Sequence, residues 1–370
     1  MNSAVTHESK VKSAACHACG GVTKVFFTPF NQRSMTSDGQ PFAHSAPVLV
    51  CTHCGLLQKH ASQQWLDNVD DIYAGYASQN IAQGRDAIVN GRTRSAVILE
   101  NVAPFLPESG KLLDIGTGSG VFLEAARDHT QLTLCAQDIN DNHASQLQAI
   151  GVEHTYFGDL ADVDGQFDVI TAIHVIEHVI DIESFYQQIS RLLTPNGVFI
   201  AQVPQSNQNI FDLLIYDHLW HFTHYSVHQL LTPFFASVWF PMQLFKEITV
   251  MCSKQALTID NENLVALDNL HLDNNLPDVA RINRMLDIAM TYREIAVFGS
   301  GPNSVYMTNV LADKVTCIID DDPLKVGQTL LGKPIIASQD VASDLPVVIP
   351  FPTHQARDIA SRWDAQYVIF

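Results

Sequence analysis

The chain has 370 residues, 46% of them hydrophobic and 16% charged, with a formal net charge of −18. That length leaves room for two or three domains with an ample core, and the composition is that of an ordinary globular protein. So negative a chain, without any cluster of Lys and Arg, speaks against a nucleic-acid partner.

Residues 1–15 lack the apolar stretch of a signal peptide, and no apolar run approaches the ~20 residues of a membrane span. Four of the seven cysteines fall in two Cys-x-x-Cys pairs. This suits a reducing compartment with one metal site better than a disulfide framework. The expectation is a cytoplasmic protein, monomeric or homo-oligomeric, with a small-molecule substrate and neither a membrane nor a nucleic-acid partner.

In chain order, the first device is a pair of knuckles, Cys16-His-Ala-Cys19-Gly and Cys51-Thr-His-Cys54-Gly. Each turn aims two thiolates at one point, and its glycine permits a tight backbone beneath. Cys16, Cys19, Cys51 and Cys54 together make the closed tetrahedral set of structural zinc. A redox dithiol would need only one pair. The 31 residues between the knuckles can form a hairpin with a loop. His17 and His53 are read as exposed, because four thiolates complete the shell. Residues 1–65 are expected to form this zinc-binding domain. A helical stretch follows, carrying Tyr73 and Tyr76 where a lid over the next domain would begin. Aromatics so spaced also serve simply as packing.

Residues 66–255 read as an α/β doubly wound domain with this helical lid at its start. The run Leu112–Gly120 (LLDIGTGSG) is a buried strand ending in Gly-x-Gly-x-Gly, with Asp114 ahead of the glycines. A helix (VFLEAARDH) and a second strand lead to Asp138, 18 residues past Gly120. Glycines let backbone approach a ligand, and an acid at the next strand end can hold ribose hydroxyls. The compressed spacing differs from the Gly-x-Gly-x-x-Gly of nicotinamide enzymes. It resembles the S-adenosylmethionine (SAM) pocket of class I methyltransferases. The resemblance extends through FDVITAIHVIEHV (from Phe167) and LLTPNG (from Leu192). It places the cofactor on Asp114, Gly116, Thr117, Gly118, Gly120, Asp138, Ile139, Gly158, Asp159 and His174. His178 either touches substrate or merely lines the cleft.

Beyond the fifth strand lies an unusual polar and aromatic segment from Gln205 to Tyr225, including Asn207, Tyr216, Asp217, His218, Trp220 and His221. It follows a strand end, where open α/β sheets bind ligands. An Asp beside several His suits a general base with its orienter. The same composition also suits a hydrogen-bonded loop clamping a domain interface.

Together these parts resemble the sugar C-methyltransferases, which methylate nucleotide-linked keto-deoxysugars. Their Glu-His-Leu-x-Tyr-Phe-Ser is matched here by Asp217-His218-Leu219-Trp220-His221-Phe222-Thr223. Asp217 shortens one reach and His221 adds a titrating group, which marks a divergent branch. The resemblance implies that Asn207 and Trp220 meet substrate. It implies also that residues 256–370, a second Rossmann-like domain after a polar connector, help hold a nucleotide sugar. Gly299, Ser300 and Gly301 would then face phosphate, and Asp320 a ribose hydroxyl.

On this reading His218, oriented by Asp217, removes a proton beside a ketone, and the enolate attacks the methyl group of SAM. Tyr76, Tyr216 or His178 would donate to the enolate oxygen. The rival expectations are an O-methyltransferase of a sugar or other small metabolite, a methyltransferase of a non-sugar metabolite, and a zinc-bearing interaction module with a degenerate SAM site.

Overall fold

The computed structural model describes residues 15–79, 88–89, 92–244, 246–258, 277–362 and 368–369. The side chain of Tyr76 and residues 259–276 of the connector lie outside the described residues.

The largest sheet has seven strands. From one edge they are His154–Phe157, Thr133–Asp138, Lys111–Ile115, Phe167–Ile173, Leu193–Pro204, Glu247–Ser253 and Ser237–Trp239. Numbered in chain order within the sheet, the spatial order is 3-2-1-4-5-7-6, and the seventh strand runs antiparallel to its neighbours. The central strands read as nearly continuous apolar runs because both faces are covered. In Phe167–Ile173, five of seven residues are buried. One covering helix, Ile182–Leu192, buries Ile182, Phe185, Tyr186, Ile189 and Leu192. That spacing is one helical stripe. Asp181 starts the helix by accepting from the Ser184 amide. The order reverses between Lys111–Ile115 and Phe167–Ile173, so the ligand crevice of this sheet opens beyond those two strand ends.

The N-terminal sheet does not consist of residues 1–65 alone. Its strands are Thr23–Phe27, Val48–Cys51, Leu57–Gln58 and Trp220–His221, the last supplied by the segment after the central sheet's fifth strand. Trp220 pairs with Gln58, and His221 with Leu57. The expected hairpin between the knuckles is present, Thr23 opposing Cys51.

The C-terminal sheet has six strands, with Ile295–Phe298 at its middle flanked by Val315–Ile319 and Val347–Val348, all parallel. Of the expected polar connector, Ala280–Thr291 is helix. One apolar cluster joins the three lobes. It contains Phe27, Met35 and Val48 from the N-terminal lobe, Ile210–Leu214 apart from Asp212, and Ile282, Met285, Tyr306 and Met307 from the C-terminal lobe.

Candidate functional site

The glycine loop stands at the end of Lys111–Ile115. Gly116, Gly118 and Gly120 have φ of 62°, 52° and 80°, backbone that L side chains rarely adopt. A Cβ on Gly116 would meet Val175 at 2.7 Å, and one on Gly120 would meet Ile150 at 2.6 Å. Among the described residues nothing lies within 4 Å of such an atom on Gly118, so the loop's open face is there. Asp138 accepts from the Gly118 amide at 2.8 Å and the Asn140 amide at 3.3 Å. Ile139 beside it is 77% exposed. Thr117 is buried, its amide bonded to the Gln137 carbonyl. Asp114 accepts from Thr171 Oγ1 at 2.6 Å, and burial pushes its carboxyl up to about 7. Gly158 turns at φ 112° where Gln137 Nε2 holds its carbonyl. Asp159 caps the short turn that follows, accepting from the Ala161 amide.

His174 also follows a strand end, at φ 56°. Its Nε2 lies 2.8 Å from Arg94 Nη1 and 3.3 Å from Glu247 Oε2, and its Nδ1 lies 3.2 Å from Glu177 Oε1. Both ring nitrogens are therefore committed to a charge network.

Around His218 the structure reassigns roles. Its Nδ1 lies 2.7 Å from Asp212 Oδ1, and His221 Nδ1 lies 2.6 Å from Asp212 Oδ2. All three side chains are buried. A carboxylate only accepts, so each ring carries a proton on Nδ1 and, when neutral, leaves Nε2 bare. Burial would raise the Asp212 carboxyl, but the two histidines hold it well below the usual carboxylate range. Burial pulls His218 down, yet Asp212, with Glu177 and Asp217, carries it above an ordinary histidine. For His221, burial wins and, helped by Lys59, lowers it to about 4.

Asp217, the orienter expected from sequence, is turned the other way. It accepts from Ser37 of the N-terminal lobe, through the amide at 2.9 Å and Oγ at 2.6 Å. Asp212 takes its place, because the turn Ile210–Leu214 brings that carboxylate beneath both rings. Sequence spacing held a weak signal for this, since Asp212 precedes His218 and His221 in one short segment.

His178 stands edge-on to His218 at 4.7 Å between ring centroids. Its Nδ1 lies 3.1 Å from the Asp217 carbonyl and 3.0 Å from Tyr73 Oη. The carbonyl fixes the proton on Nδ1, so neutral His178 presents an acceptor rather than the donor expected of it. Burial, then His218, lowers its pKa. Tyr73, overlooked as a site residue, is the lid tyrosine that reaches this group.

Three further expectations change. Tyr216 is 3% exposed, accepts from Asn68 Nδ2 at 2.7 Å and packs on Phe42, so it faces the N-terminal lobe. Trp220 is fully buried, donating to the Val179 carbonyl at 2.5 Å with its ring against His17. It has no surface to offer a substrate. His221 is the second ring on Asp212, its Nε2 buried without a hydrogen-bond partner among the described residues. Asn207 is half-buried at the start of this segment.

The four knuckle cysteines converge. Cys16 and Cys54 Sγ are 3.7 Å apart, Cys19 and Cys51 Sγ 3.6 Å, and all four lie within 4.8 Å of one another. Metal–sulfur bonds of ~2.3 Å in a tetrahedron give edges of ~3.8 Å, so the donor set fits one such ion. Gly20 and Gly55 take the expected left-handed turns at φ 68° and 73°. His17 and His53 are exposed.

In the C-terminal lobe Gly299 turns at φ 85° beneath Phe351, whose ring would meet a Cβ at 2.8 Å. Ser300 Oγ donates to Asp320 at 2.6 Å, and Asp320 also accepts from the Asp322 amide. Gly301 opens the helix Pro302–Leu311.

A profile described as a methyltransferase domain matches residues 91–239. A ubiquinone biosynthesis O-methyltransferase of Chelativorans sp. (strain BNC1) is 32% identical over 129 residues, 30% of this chain and 50% of that protein. Ribosomal RNA small subunit methyltransferase C of Citrobacter koseri is 28% identical over 165 residues, 40% of this chain and 47% of that protein. The chain thus spans about half the length of the curated relatives it matches. Among solved structures, an S-adenosylmethionine-dependent methyltransferase from Clostridium acetobutylicum ATCC 824 is 13% identical, covers 50% of this chain and 98% of its own, and has a TM-score of 0.36. Residues 91–239 therefore match a methyltransferase domain, on a sheet with the strand order described above.

Proposed function

We propose that the protein transfers a methyl group from SAM to a carbon beside the ketone of a nucleotide-linked sugar, with His218 as base. The observation that carries this reading is the buried Asp212–His218 pair, which leaves Nε2 bare just beyond the methyltransferase sheet. The open face of Gly118, the Asp138 carboxylate and exposed Ile139 fit the cofactor. SAM supplies an electrophilic methyl group when bound. His218 Nε2 takes the proton from the carbon, and Asp212 stabilises the imidazolium that forms. The oxygen that gains charge takes a hydrogen bond from the Gln63–Gln79 helix, through Tyr73 or Tyr76. Cys16, Cys19, Cys51 and Cys54 hold zinc, which fixes the N-terminal lobe. The C-terminal lobe holds the nucleotide through Gly299, Ser300, Gly301 and Asp320.

A second reading is O-methylation, favoured by the curated relatives named as O-methyltransferases. There the same base would deprotonate a hydroxyl. Mass spectrometry of keto-sugar nucleotides in D2O separates the two. Deuterium uptake without SAM and a gain of one methyl with it support C-methylation. A methyl gain without exchange favours the O-methyl reading. Neither signal overturns the sugar assignment, and failure to bind SAM overturns both.

A further inference from the structure

The segment that carries His218 is gripped from outside the methyltransferase domain. Lys59, one residue past the strand Leu57–Gln58, is 1% exposed. Its ammonium donates to the carbonyls of Ile215 and of His218, the latter at 2.9 Å. Its own amide donates to the Leu219 carbonyl at 2.8 Å. Ser37 takes both carboxylate oxygens of Asp217, and the Tyr216 amide donates to Met35. The two donors thus bracket His218: one neighbour is tied by its side chain, the other by its backbone.

A buried ammonium is costly unless its charge is used. Burial lowers the Lys59 ammonium to about 7, against the opposing pull of Asp212 and Asp217, and a methionine would fill the same space without that cost. Ser37 has a complementary effect. By satisfying Asp217 it keeps a second carboxylate away from the His218 ring, whose Nδ1 is left to Asp212. Resting on the base assignment above, we propose that Ser37 and Lys59 are positioning residues, which hold the 215–221 segment so that Asp212 alone orients His218. The N-terminal lobe then completes the active site through its donors, besides covering it.

The groups facing His218 are Asp212 and His221 from its own segment, Asp217 beside it, Glu177 and His178 from the turn after the fourth sheet strand, and Lys59 across the lobe boundary. Below about pH 7 Lys59 carries its charge beside the His218 backbone, and removing that charge favours the imidazolium, so the His218 titration midpoint should rise. The test is 15N-histidine NMR titration of the full-length, zinc-loaded protein, with the signal assigned through His218→Gln. Lys59→Met should raise the midpoint by ~0.5 pH unit or more. Ser37→Ala should also raise it, because Asp217 is freed, and Ser37→Thr should restore the original value. An unmoved midpoint in Lys59→Met, or equal values for Ser37→Ala and Ser37→Thr, overturns the proposal. If Lys59→Met does not fold, the Ser37 pair decides alone. No substrate enters this measurement, so its failure leaves the methyl-transfer reading standing, whereas an active His218→Ala variant would remove the base.

Discussion

Asp212 and Asp217 are both fully buried carboxylates five positions apart, and what each accepts from separates their roles. Asp212→Asn should lower kcat by ~10²-fold or more and His218→Ala by ~10²–10⁴-fold, the range of general base catalysis, with SAM affinity by calorimetry unchanged. Wild-type turnover in Asp212→Asn would return the orienting role to another group. The same residues set a pH signature. His221 has its folded pKa near 4, below its ordinary 6.5, so stability falls as pH drops through that window. His218 is raised, so its stabilisation is complete below about 6.5 and lost as pH climbs through its folded value. The contribution of these two rings to stability should therefore peak near about pH 6.5, while kcat/KM, with neutral His218 as the proposed base, should rise on the alkaline side. Melting and rate series from about pH 4 to about pH 9 check this, and coincident optima would contradict it. That the segment sets histidines on a carboxylate was legible, and which carboxylate was not. Adjacency pointed to Asp217, whereas a tight turn folds Asp212 under both rings.

Among elements, the strand–loop–helix unit from Lys111 to His129 was the most legible, because buried strands and glycine turns are local chemistry. Two of its glycines make opposite predictions. Gly120→Ala presses on Ile150 and Leu147, so it should lower the melting temperature as well as binding. Gly118→Ala meets nothing among the described residues, and should cost only the ~1–2 kcal/mol of left-handed backbone while weakening SAM affinity. Paired melting and calorimetry distinguish them, and equal SAM affinity in Gly118→Ala and wild type would clear that face of cofactor contact. Other elements were illegible for a physical reason. Leu193–Pro204 is a single strand of 12 residues, although Pro195-Asn196-Gly197 reads as a turn, because its start pairs with Phe167 before a shift in register. Trp220–His221 is a strand only because Gln58 and Leu57 lie beside it, and no periodicity marks two residues.

Over the whole molecule, the sequence divides into lobes more cleanly than the structure does. The composition of 205–225 suited both a base site and an interface clamp; Asp212 holds the histidines of the proposed base site, while Asp217 and Trp220 tie the segment to the N-terminal lobe. Met35, buried in the cluster common to all three lobes, tests that union. Met35→Ala should cost about 2–5 kcal/mol and shift one common unfolding transition rather than split it. Separate melting of the lobes would show that the shared core does not couple them. Metal removal reaches the site by the same route. Chelation should release about one zinc per chain, free Trp220–His221 to protease and abolish turnover together. Full activity in metal-free protein would disconnect the knuckles from the chemistry.

The borrowed strand also has a consequence in time. Leu57–Gln58 leaves the ribosome well before its neighbour Trp220–His221, which follows roughly 160 residues later. At about 5–20 residues per second, the nascent sheet waits roughly ten to thirty seconds with a bare edge. Unpaired edges template wrong partners, so this interval is when the growing chain is most exposed to a chaperone or to another copy of itself. Slow codons placed between residues 60 and 220 should lengthen the wait and lower soluble yield, while the finished protein stays unchanged.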